Sequence, residues 1–326
     1  MPIPLGVLER IRSIPDVVIR LEEPLAVHTR FGIGGRAAAF CEAADPGAFG
    51  ELFHVVRREQ VAHVVIAGGT NLIVSDDGFD GVVLRFTGNH IAVNSERISA
   101  EAGTSLQAVV DASIAAGLNG MQTMTRIPGS LGAAVYGNAG AYGHSIQERV
   151  ERVVFTDGSK ERVLDNAGCQ FHYRESLFKR CKEWILLSAE LGFERGDRAE
   201  LRRQADEIQA IRDAKYPPTM RCAGSIFKNC LFSELPAAVQ AQIPQKMVRE
   251  GKVPSAYFLE QVGAKGMRKG DIRVAGYHAN LIYNDGAGTA EDLVAVIEDL
   301  KKRVFDLFGF SLEEEVQYIG FERVAV

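Results

Sequence analysis

The stretch RIPGSLGAAVYGNAGAYGHS, at residues 126–145, consists mostly of small residues and holds few side chains that could build a core. Glycine lets the backbone approach a neighbour more closely than any other residue does. The five glycines here would let the chain pack against a large flat ligand, with Pro128 fixing a turn. A tight segment of helix packing is the alternative interpretation.

The first glycine-rich stretch along the chain is AGGTNLIVSDDG at residues 67–78, and the stretch at 126–145 is the second. The first continues from HVVIAGG at 63–69, which we predict to be a buried strand entering a glycine turn. Its backbone N–H groups, with the Thr70 hydroxyl and the Asn71 amide, could wrap a pyrophosphate. The stretch is not G-x-G-x-x-G and lacks the lysine of a P-loop, which excludes both of those motifs. A surface turn is the alternative. Two such loops within about 200 residues favour a dinucleotide of the adenine–pyrophosphate–flavin kind.

The composition limits the classes to which the protein can belong. The chain has 326 residues, 46% of them apolar and 24% charged, as in a soluble globular protein of two or three domains. A net charge of −5 and scattered basic residues exclude a general attraction to nucleic acid. No apolar run reaches the roughly 18 residues of a membrane helix, and the N-terminus has no signal-peptide core. We therefore expect a cytoplasmic location and no membrane partner. We also expect a monomer.

The segment RCAGSIFKNC, at residues 221–230, places Ser225 between Cys222 and Cys230. The five cysteines are widely spread and include no C-x-x-C, so neither a disulfide framework nor a metal site is expected. Buried cysteines behave as small hydrophobic residues. The serine is therefore the better candidate for chemistry in this segment.

Helical and strand patterns alternate along the chain, which predicts an α+β or α/β protein. We predict helices that each begin at a capping residue, over 44–60 (Asp45), 104–118 (Thr104) and 289–309 (Thr289). A hairpin is predicted over 150–164 and a closing strand over 311–321. Pro217 and Pro218 end a charged helix over 197–218, which makes this the best candidate for a domain boundary.

Five motifs stand in one order along the chain: AGGTNLIVSD, IPGSLGAAVYGNAGAYG, YRESLFK, AGSIFKN and LEEEVQYIG. Together they resemble the UDP-N-acetylenolpyruvoylglucosamine reductase family, from residue 28 to about residue 321. The resemblance implies an α+β fold with a two-lobed FAD-binding domain of the vanillyl-alcohol-oxidase type over 1–217, the lobes dividing near 88–96. A C-terminal α+β substrate domain over 218–326 completes the implied architecture.

The family is one of flavoenzymes that complete UDP-N-acetylmuramate for peptidoglycan, with NADPH as reductant. The resemblance implies noncovalent FAD in contact with the two glycine-rich stretches, at Gly68, Gly69, Thr70, Asn71, Leu72, Thr125, Pro128, Gly129, Ser130, Gly132, Asn138, Ala139, Gly140 and Tyr142. It implies that Lys215 and Asn229 contact the sugar nucleotide. His278 and Asn280, in YHAN, either line the site or lie on the surface of a strand.

The family's catalytic residues are carried over by motif. The arginine of Y-R-x-S falls on Arg174, the serine of G-S-x-F on Ser225 and the glutamate of L-x-x-E-V on Glu315. Hydride transfer to the enolpyruvyl double bond leaves negative charge beside the carboxylate, which Arg174 can bind as a planar fork. Glu315 can stabilise this negative charge only when its carboxyl group is protonated or bridges to another group. Ser225 can donate the proton to carbon, with Arg174 or Lys228 as the neighbour that assists it.

Without the resemblance, Arg174 would be interpreted as a surface ion-pair partner. Ser225 would be a turn hydroxyl, and Glu315 would be one of three glutamates on a strand edge. The chain also departs from the family pattern. Arg126 stands where glycine is common, and it would contact a flavin phosphate or point to solvent. The chain resembles the shorter branch of the family, which lacks a tyrosine-bearing loop, and 231–254 is an insertion.

Two other functions fit parts of the pattern. The first is another flavin oxidoreductase of the same fold that acts on an alcohol or sugar; such enzymes need a base and often tether their flavin. The second is a flavin- or nucleotide-binding module without catalysis, which would not need Arg174, Ser225 and Glu315 together.

Overall fold

A computed structural model describes residues 3–321 as two units that alternate helices and short strands. The helices are α1 Leu5–Ser13, α2 Pro46–Arg58, α3 Leu106–Ala115, α4 Leu131–Tyr136, α5 Leu177–Arg180, α6 Arg198–Lys215, α7 Ala237–Gln240, α8 Ser255–Gln261 and α9 Ala290–Phe308. None of the helices within the described range combines the length and apolar character that crossing a membrane requires.

The strands are short, and several have only two residues. In chain order they are β1 Val17–Pro24, β2 Arg36–Ala43, β3 His63–Val65, β4 Leu72–Val74, β5 Phe79–Phe86, β6 Ile91–Asn94, β7 Arg97–Glu101, β8 Leu118–Asn119, β9 Gly140–Ala141, β10 His144–Ser145, β11 Val150–Thr156, β12 Glu161–Asp165, β13 Ile185–Gly192, β14 Glu194–Arg195, β15 Cys230–Leu231, β16 Lys252–Val253, β17 Arg268–Lys269, β18 Ile272–Val274, β19 Ile282–Asn284 and β20 Gln317–Ile319.

The first unit comprises the chain up to Glu23, Ala37–Gly68 and Asp80–Pro217. It contains two larger sheets, each with its own core, and the two-stranded pairs β9–β10 and β8–β14. The first has the order β1-β2-β5-β3 and packs on the apolar stripe of α2, where Phe49, Leu52, Phe53 and Val56 are buried. The second has the order β12-β11-β13-β7-β6 and packs against α3 and α4. The chain passes from one sheet to the other between Phe86 and Ile91.

The second unit comprises Pro24–Arg36, Gly69–Phe79 and the chain from Pro218 onward. Its core surrounds α8 and α9 and includes Phe31, Ile33 and Ile73 from the two N-terminal segments. β4 pairs in parallel with β20, which ties the second of these segments to the end of the chain. The insertion 231–254 contributes buried Leu235, Val239 and Val253 to the same core.

The division into units differs from the continuous first domain that the sequence predicts. Pro24–Arg36 and Gly69–Phe79 belong to the second unit, because their apolar side chains lie in its core. The assignment of FAD to residues 1–217 and of substrate to 218–326 stays a prediction.

Helix caps agree with the sequence at most positions. Asp45 Oδ1 accepts from the N–H of Ala48 at 2.8 Å, and Thr289 Oγ1 accepts from Asp292 at 3.1 Å. The prediction that Thr104 caps α3 is wrong, because Ser105 Oγ accepts from the N–H of Ala108 instead. Thr104 is buried, and its carbonyl accepts from Leu131 in a neighbouring segment, so the helix begins one residue later.

Two strands are shorter than predicted. The closing strand covers only Gln317–Ile319, because residues 313–315 bind the segment 226–228 instead. The strand predicted over 63–69 ends at Val65. The hairpin over 150–164 is confirmed, with β11 and β12 antiparallel.

Candidate active site

Ser225 follows a glycine in the left-handed region and lies in an irregular segment of the second unit. Gly224 has φ +80°, and Ser225 forms an isolated antiparallel bridge with Leu281. The next residue, Ile226, accepts at its carbonyl a 2.7 Å hydrogen bond from the N–H of Glu315. The fold therefore places two of the three predicted catalytic residues, 90 positions apart in sequence, on hydrogen-bonded neighbouring segments.

The three consecutive glutamates at 313–315 have different surroundings. Glu313 forms an ion pair with the buried ammonium of Lys228. Glu314 forms one with Lys301, at 2.8 Å between Oε1 and Nζ. Lys228, predicted to assist Ser225, therefore has its charge compensated by Glu313. Lysine partners thus account for the first two carboxylates, whereas the motif assigns chemistry to the third.

The first glycine-rich stretch holds the backbone of Glu315. Asn71 Nδ2 donates to the Glu315 carbonyl at 2.9 Å, and the Asn71 carbonyl accepts from Gln317 at 3.0 Å. Gly69 has φ +62°, and a Cβ at that position would lie 1.7 Å from the carbonyl oxygen of His28. Part of the hydrogen-bonding capacity that the sequence assigns to a pyrophosphate is therefore used within the protein.

Asp76, in the same stretch, caps α9. Its two carboxylate oxygens accept from the N–H groups of Ala290 and Glu291, at 2.9 and 3.0 Å. A carboxylate at a helix N-terminus satisfies unpaired donors and complements the helix dipole. The sequence analysis missed this role, because the two segments are more than 200 residues apart.

The second glycine-rich stretch contains α4, so both interpretations of it apply to part of its length. Ser130 Oγ caps α4 by accepting from the N–H of Ala133 at 3.2 Å. Gly132 donates to the Ala102 carbonyl at 2.8 Å, and a Cβ there would lie 2.8 Å from that of Ala102. Ser130 and Gly132 therefore serve close packing, whatever ligand the flanking turns bind.

Asn138 links this stretch to the segment that carries Arg174. It is buried, and its Nδ2 donates to Gln147 Oε1 at 3.0 Å and to the carbonyl of His172 at 2.7 Å. Ser176 Oγ donates to the Tyr136 carbonyl at 2.7 Å, which adds a second link. The carboxamide of Asn138 therefore holds the loop in place, and contact of the residue with FAD stays a prediction.

Arg174 is anchored on the same stretch. Its NH2 group donates to the Gly140 carbonyl at 2.9 Å, and NH1 lies 3.5 Å from the Asn138 carbonyl. Its backbone has φ +56°, a left-handed conformation that is uncommon outside glycine and asparagine and is enriched at functional sites. Lys179 Nζ donates to its carbonyl at 3.0 Å. These contacts fix the orientation of the guanidinium in the first unit.

The first unit carries an unsatisfied donor where a flavin nucleotide is predicted. The hydroxyls of Thr104 and Thr125 are buried and have no hydrogen-bond partner within residues 3–321. A buried hydroxyl without a partner costs about 1–3 kcal/mol, so a bound ligand group that satisfies it is stabilising. Gly129, nearby in sequence, has φ +117° and Tyr142 is half exposed. The residues present fit a flavin nucleotide at this stretch.

The other predicted FAD contacts divide between the units. Gly68, Pro128, Ala139 and Gly140 belong to the first unit, and Gly69, Thr70 and Leu72 to the second. The backbone of Leu72 is paired with Gln317 in the β4–β20 ladder. Their contact with FAD stays a prediction.

The predicted substrate contacts also differ in environment. Lys215 ends α6 in the first unit, with its ammonium 5.1 Å from the centre of the Tyr216 ring. Asn229 is exposed, and His278 Nδ1 accepts from the N–H of Asn280 at 3.2 Å. Asn280 is buried to 3% exposure, and its carboxamide binds the protein on both sides. The carboxamide of Asn280 thus has partners within the protein, and contact of Asn280 or His278 with substrate stays a prediction.

Arg126 is partly exposed and has a partner within the protein. Its guanidinium forms a bidentate ion pair with Asp213 of α6, at 2.8 and 3.0 Å. The hydrogen bonds from Arg126 lower the pKa of Asp213, and the same contacts raise the pKa of Arg126. The residue ties the start of the second glycine-rich stretch to α6, a pairing that no local sequence signal could indicate.

The cysteines beside Ser225 have the properties of core residues. Burial raises the pKa of the Cys230 thiol to about 12 and also raises the pKa of Cys222. All five cysteines are free thiols. A thiol with a raised pKa is a poor nucleophile and a poor metal ligand, which favours Ser225 as the reactive residue of this segment.

A cavity of about 220 Å³ in the first unit is lined by Asn119, Gly120, Gln122, Thr123, His144, Glu148, Arg149 and Glu194. None of the predicted site residues is among them.

Two family models match the chain. One, described as an FAD binding domain, matches residues 37–163, and one, described as the UDP-N-acetylenolpyruvoylglucosamine reductase C-terminal domain, matches residues 216–319. Together they span most of both halves of the chain. They confirm the predicted fold class of an FAD-binding domain followed by a C-terminal α+β domain.

Relatives match over almost the whole chain. A UDP-N-acetylenolpyruvoylglucosamine reductase of Solibacter usitatus is 55% identical over 95% of this chain and 100% of its own length. One of Caldanaerobacter subterraneus subsp. tengcongensis is 34% identical over 92% of this chain and 93% of its own. The crystal structure of UDP-N-acetylenolpyruvylglucosamine reductase from Thermus caldophilus superposes with a TM-score of 0.71 at 26% identity, covering 93% of this chain and 98% of that one.

Proposed function

This chain belongs to the UDP-N-acetylenolpyruvoylglucosamine reductase family, and on that premise we propose a complete reaction with roles for its residues. The protein is an FAD-dependent oxidoreductase of peptidoglycan precursor synthesis. The proposed reaction converts UDP-N-acetylglucosamine enolpyruvate to UDP-N-acetylmuramate, with NADPH as reductant. The observation that carries the proposal is the hydrogen-bonded junction of the Ser225 and Glu315 segments.

The first need of this reaction is a fixed positive charge at the substrate carboxylate. FAD, held by the two glycine-rich stretches, would supply the hydride that reduces the enolpyruvyl double bond, with NADPH as the source of the electrons. Negative charge then develops beside the carboxylate, and a preorganised guanidinium stabilises it without reorganising. Arg174 suits this role because contacts with Gly140 and Lys179 hold it in place while a guanidinium has five donors to share.

The second need is a proton for the carbon that carries the developing charge. In the proposed mechanism Ser225 donates it from Oγ, and Glu315 hydrogen-bonds to the developing enolate or to the serine. A serine is a weak acid, so its position relative to the acceptor carbon decides the rate of transfer. The backbone hydrogen bond between Glu315 and Ile226 supports the pairing of these two roles.

The test of the proposed function is substrate-dependent oxidation of NADPH. Purified protein should be yellow, and absorbance at 340 nm should fall only when UDP-N-acetylglucosamine enolpyruvate is added, with one product formed per NADPH. Glucose, cholesterol and simple alcohols, offered to the oxidised flavin, serve as controls for the alternative oxidase function. Reduction of the flavin by one of these, with no turnover of the enolpyruvyl sugar nucleotide, would refute the proposal.

We expect FAD to be bound without a covalent link. Enzymes of this fold that tether flavin covalently do so through histidine or cysteine. The two glycine-rich stretches contain one such residue, His144, whose Nδ1 is 2.9 Å from Glu148 Oε2. Acid precipitation of the protein should release the yellow colour into the supernatant, where its absorbance can be measured. Colour that remains in the pellet after washing would contradict this expectation.

A further inference from the structure

The carboxamide of Asn280 binds both backbone groups of a single residue. Asn280 Oδ1 accepts from the N–H of Phe227, and Nδ2 donates to the Phe227 carbonyl, both at 2.9 Å. Nδ2 also donates to Ser255 Oγ at 2.7 Å, and both side chains are buried. A carboxamide that satisfies an N–H and a C=O together acts as the peptide group of a neighbouring strand would.

The main chain at 280–281 binds Ser225 and Ile226, the two residues that precede Phe227. The Asn280 carbonyl accepts from the N–H of Ile226 at 3.2 Å, and Leu281 bridges Ser225. On the other side, Glu315 donates to Ile226 and Glu313 accepts from Lys228. The segment 225–228 belongs to no regular strand, so these flanking hydrogen bonds decide where Ser225 lies.

We propose that Asn280, supported by Ser255, is a positioning residue for proton transfer from Ser225. The proposal rests on the proposed function, in which Ser225 is the proton donor. Proton transfer to carbon requires the donor within a few tenths of an ångström of its place, and a misplacement of about 1 Å costs about a hundredfold in rate. Asn280 acts two residues from Ser225, and its side-chain hydrogen bonds all stay within the protein.

The decisive variant is Asn280→Asp, which keeps the shape of the side chain. An aspartate still accepts from the N–H of Phe227, but a carboxylate has no hydrogen to donate to the Phe227 carbonyl. We expect flavin reduction by NADPH to stay within about twofold and reoxidation of the reduced flavin by the enolpyruvyl substrate to slow about tenfold to a hundredfold. KM should change little, because the hydrogen bonds of the side chain go to Phe227 and Ser255.

Asn284→Asp is the matched control. Asn284 is equally buried in the same unit, where its Nδ2 donates to the Phe31 carbonyl and its Oδ1 accepts from Gly286 and Gly288. Loss of stability in this unit should be similar for both variants, as thermal unfolding will measure. Only Asn280→Asp should slow the second half-reaction selectively. Equal slowing in both variants, or equal slowing of both half-reactions, would overturn the positioning role.

A double variant separates this proposal from the function on which it rests. In the Ser225→Ala background, Asn280→Asp should slow the second half-reaction no further, because the group that it positions is gone. A full additional loss there shows that Asn280 acts on something else and overturns the proposal. If the wild-type flavin is not reoxidised by the enolpyruvyl substrate at all, the proposed function fails instead. Should Asn280→Asp not fold, Ser255→Ala, which removes a single hydroxyl, provides the same comparison.

Discussion

Ser225→Ala is expected to separate the two halves of the reaction. Bleaching of the flavin by NADPH should be nearly normal, because that step needs no proton from Ser225. Product formation should fall by a factor on the order of 10²–10⁴, the usual cost of removing a positioned proton donor. Stopped-flow absorbance follows each half separately, and equilibrium binding should show that the variant still takes up substrate.

The control for this variant is Ser311→Ala, which removes the hydroxyl of an exposed serine in the same unit. It should leave both half-reactions unchanged. If bleaching by NADPH slows as much as product formation in Ser225→Ala, the serine has a structural role and the proton comes from another group.

Glu315→Gln is expected to lower kcat by a factor on the order of 10² while changing substrate affinity little. The charge that Glu315 is proposed to stabilise develops only after hydride transfer, so the loss falls on the transition state and not on the bound substrate. The glutamine keeps the backbone contacts with Ile226 and Asn71, which do not depend on the carboxyl group. Steady-state kinetics and a measured dissociation constant give both quantities.

The neighbouring glutamates are built-in controls for this change. Glu313→Gln and Glu314→Gln each remove one lysine ion pair, with Lys228 and Lys301 respectively. We expect both variants to unfold at lower temperature and to keep most of their kcat. A changed dissociation constant with unchanged kcat in Glu315→Gln, or an equal loss of kcat at all three positions, would count against the catalytic role.

Arg174 and the second glycine-rich stretch form one structural element. The stretch receives hydrogen bonds from Arg174 at Gly140 and from Ser176 at Tyr136, and it donates one from Asn138 to His172. Ordering of this stretch by a bound flavin nucleotide would therefore also order the guanidinium.

Local structure was predictable wherever its cause lies within a few residues. Apolar periodicity and cap hydrogen bonds act over one or two helical turns, so nearby residues determine them. Examples are the apolar stripe of α2, the caps at Asp45 and Thr289, and the glycine that ends α9. The wrong cap predicted for α3 is an error of one residue. Thr104 and Ser105 are both capping residue types, and the Thr104 carbonyl binds Leu131, so Ser105 caps the helix.

Motif order also determined the family, since five separated motifs in one order carry far more information than any one of them. It assigned Ser225 and Glu315 before their segments were known to be hydrogen-bonded neighbours. It could not assign the roles of buried amides. An asparagine in a motif is chemically able to bind either a ligand or the protein, and only the packing around Asn138 and Asn280 shows that both bind the protein.

Tertiary structure alone decided which distant segments share a core and which charges pair. Pro24–Arg36 and Gly69–Phe79 join the second unit, Asp76 caps a helix that begins at residue 290, and Arg126 pairs with Asp213. Each of these contacts depends on the path of the whole chain, because a hydrogen bond or an apolar contact forms only where the fold brings its two halves within a few ångströms. The local elements and the order of the motifs, and hence the family, follow from neighbouring residues and could be read without the fold. Long-range contacts could not, because each of them forms only where the folded chain brings its two partners together.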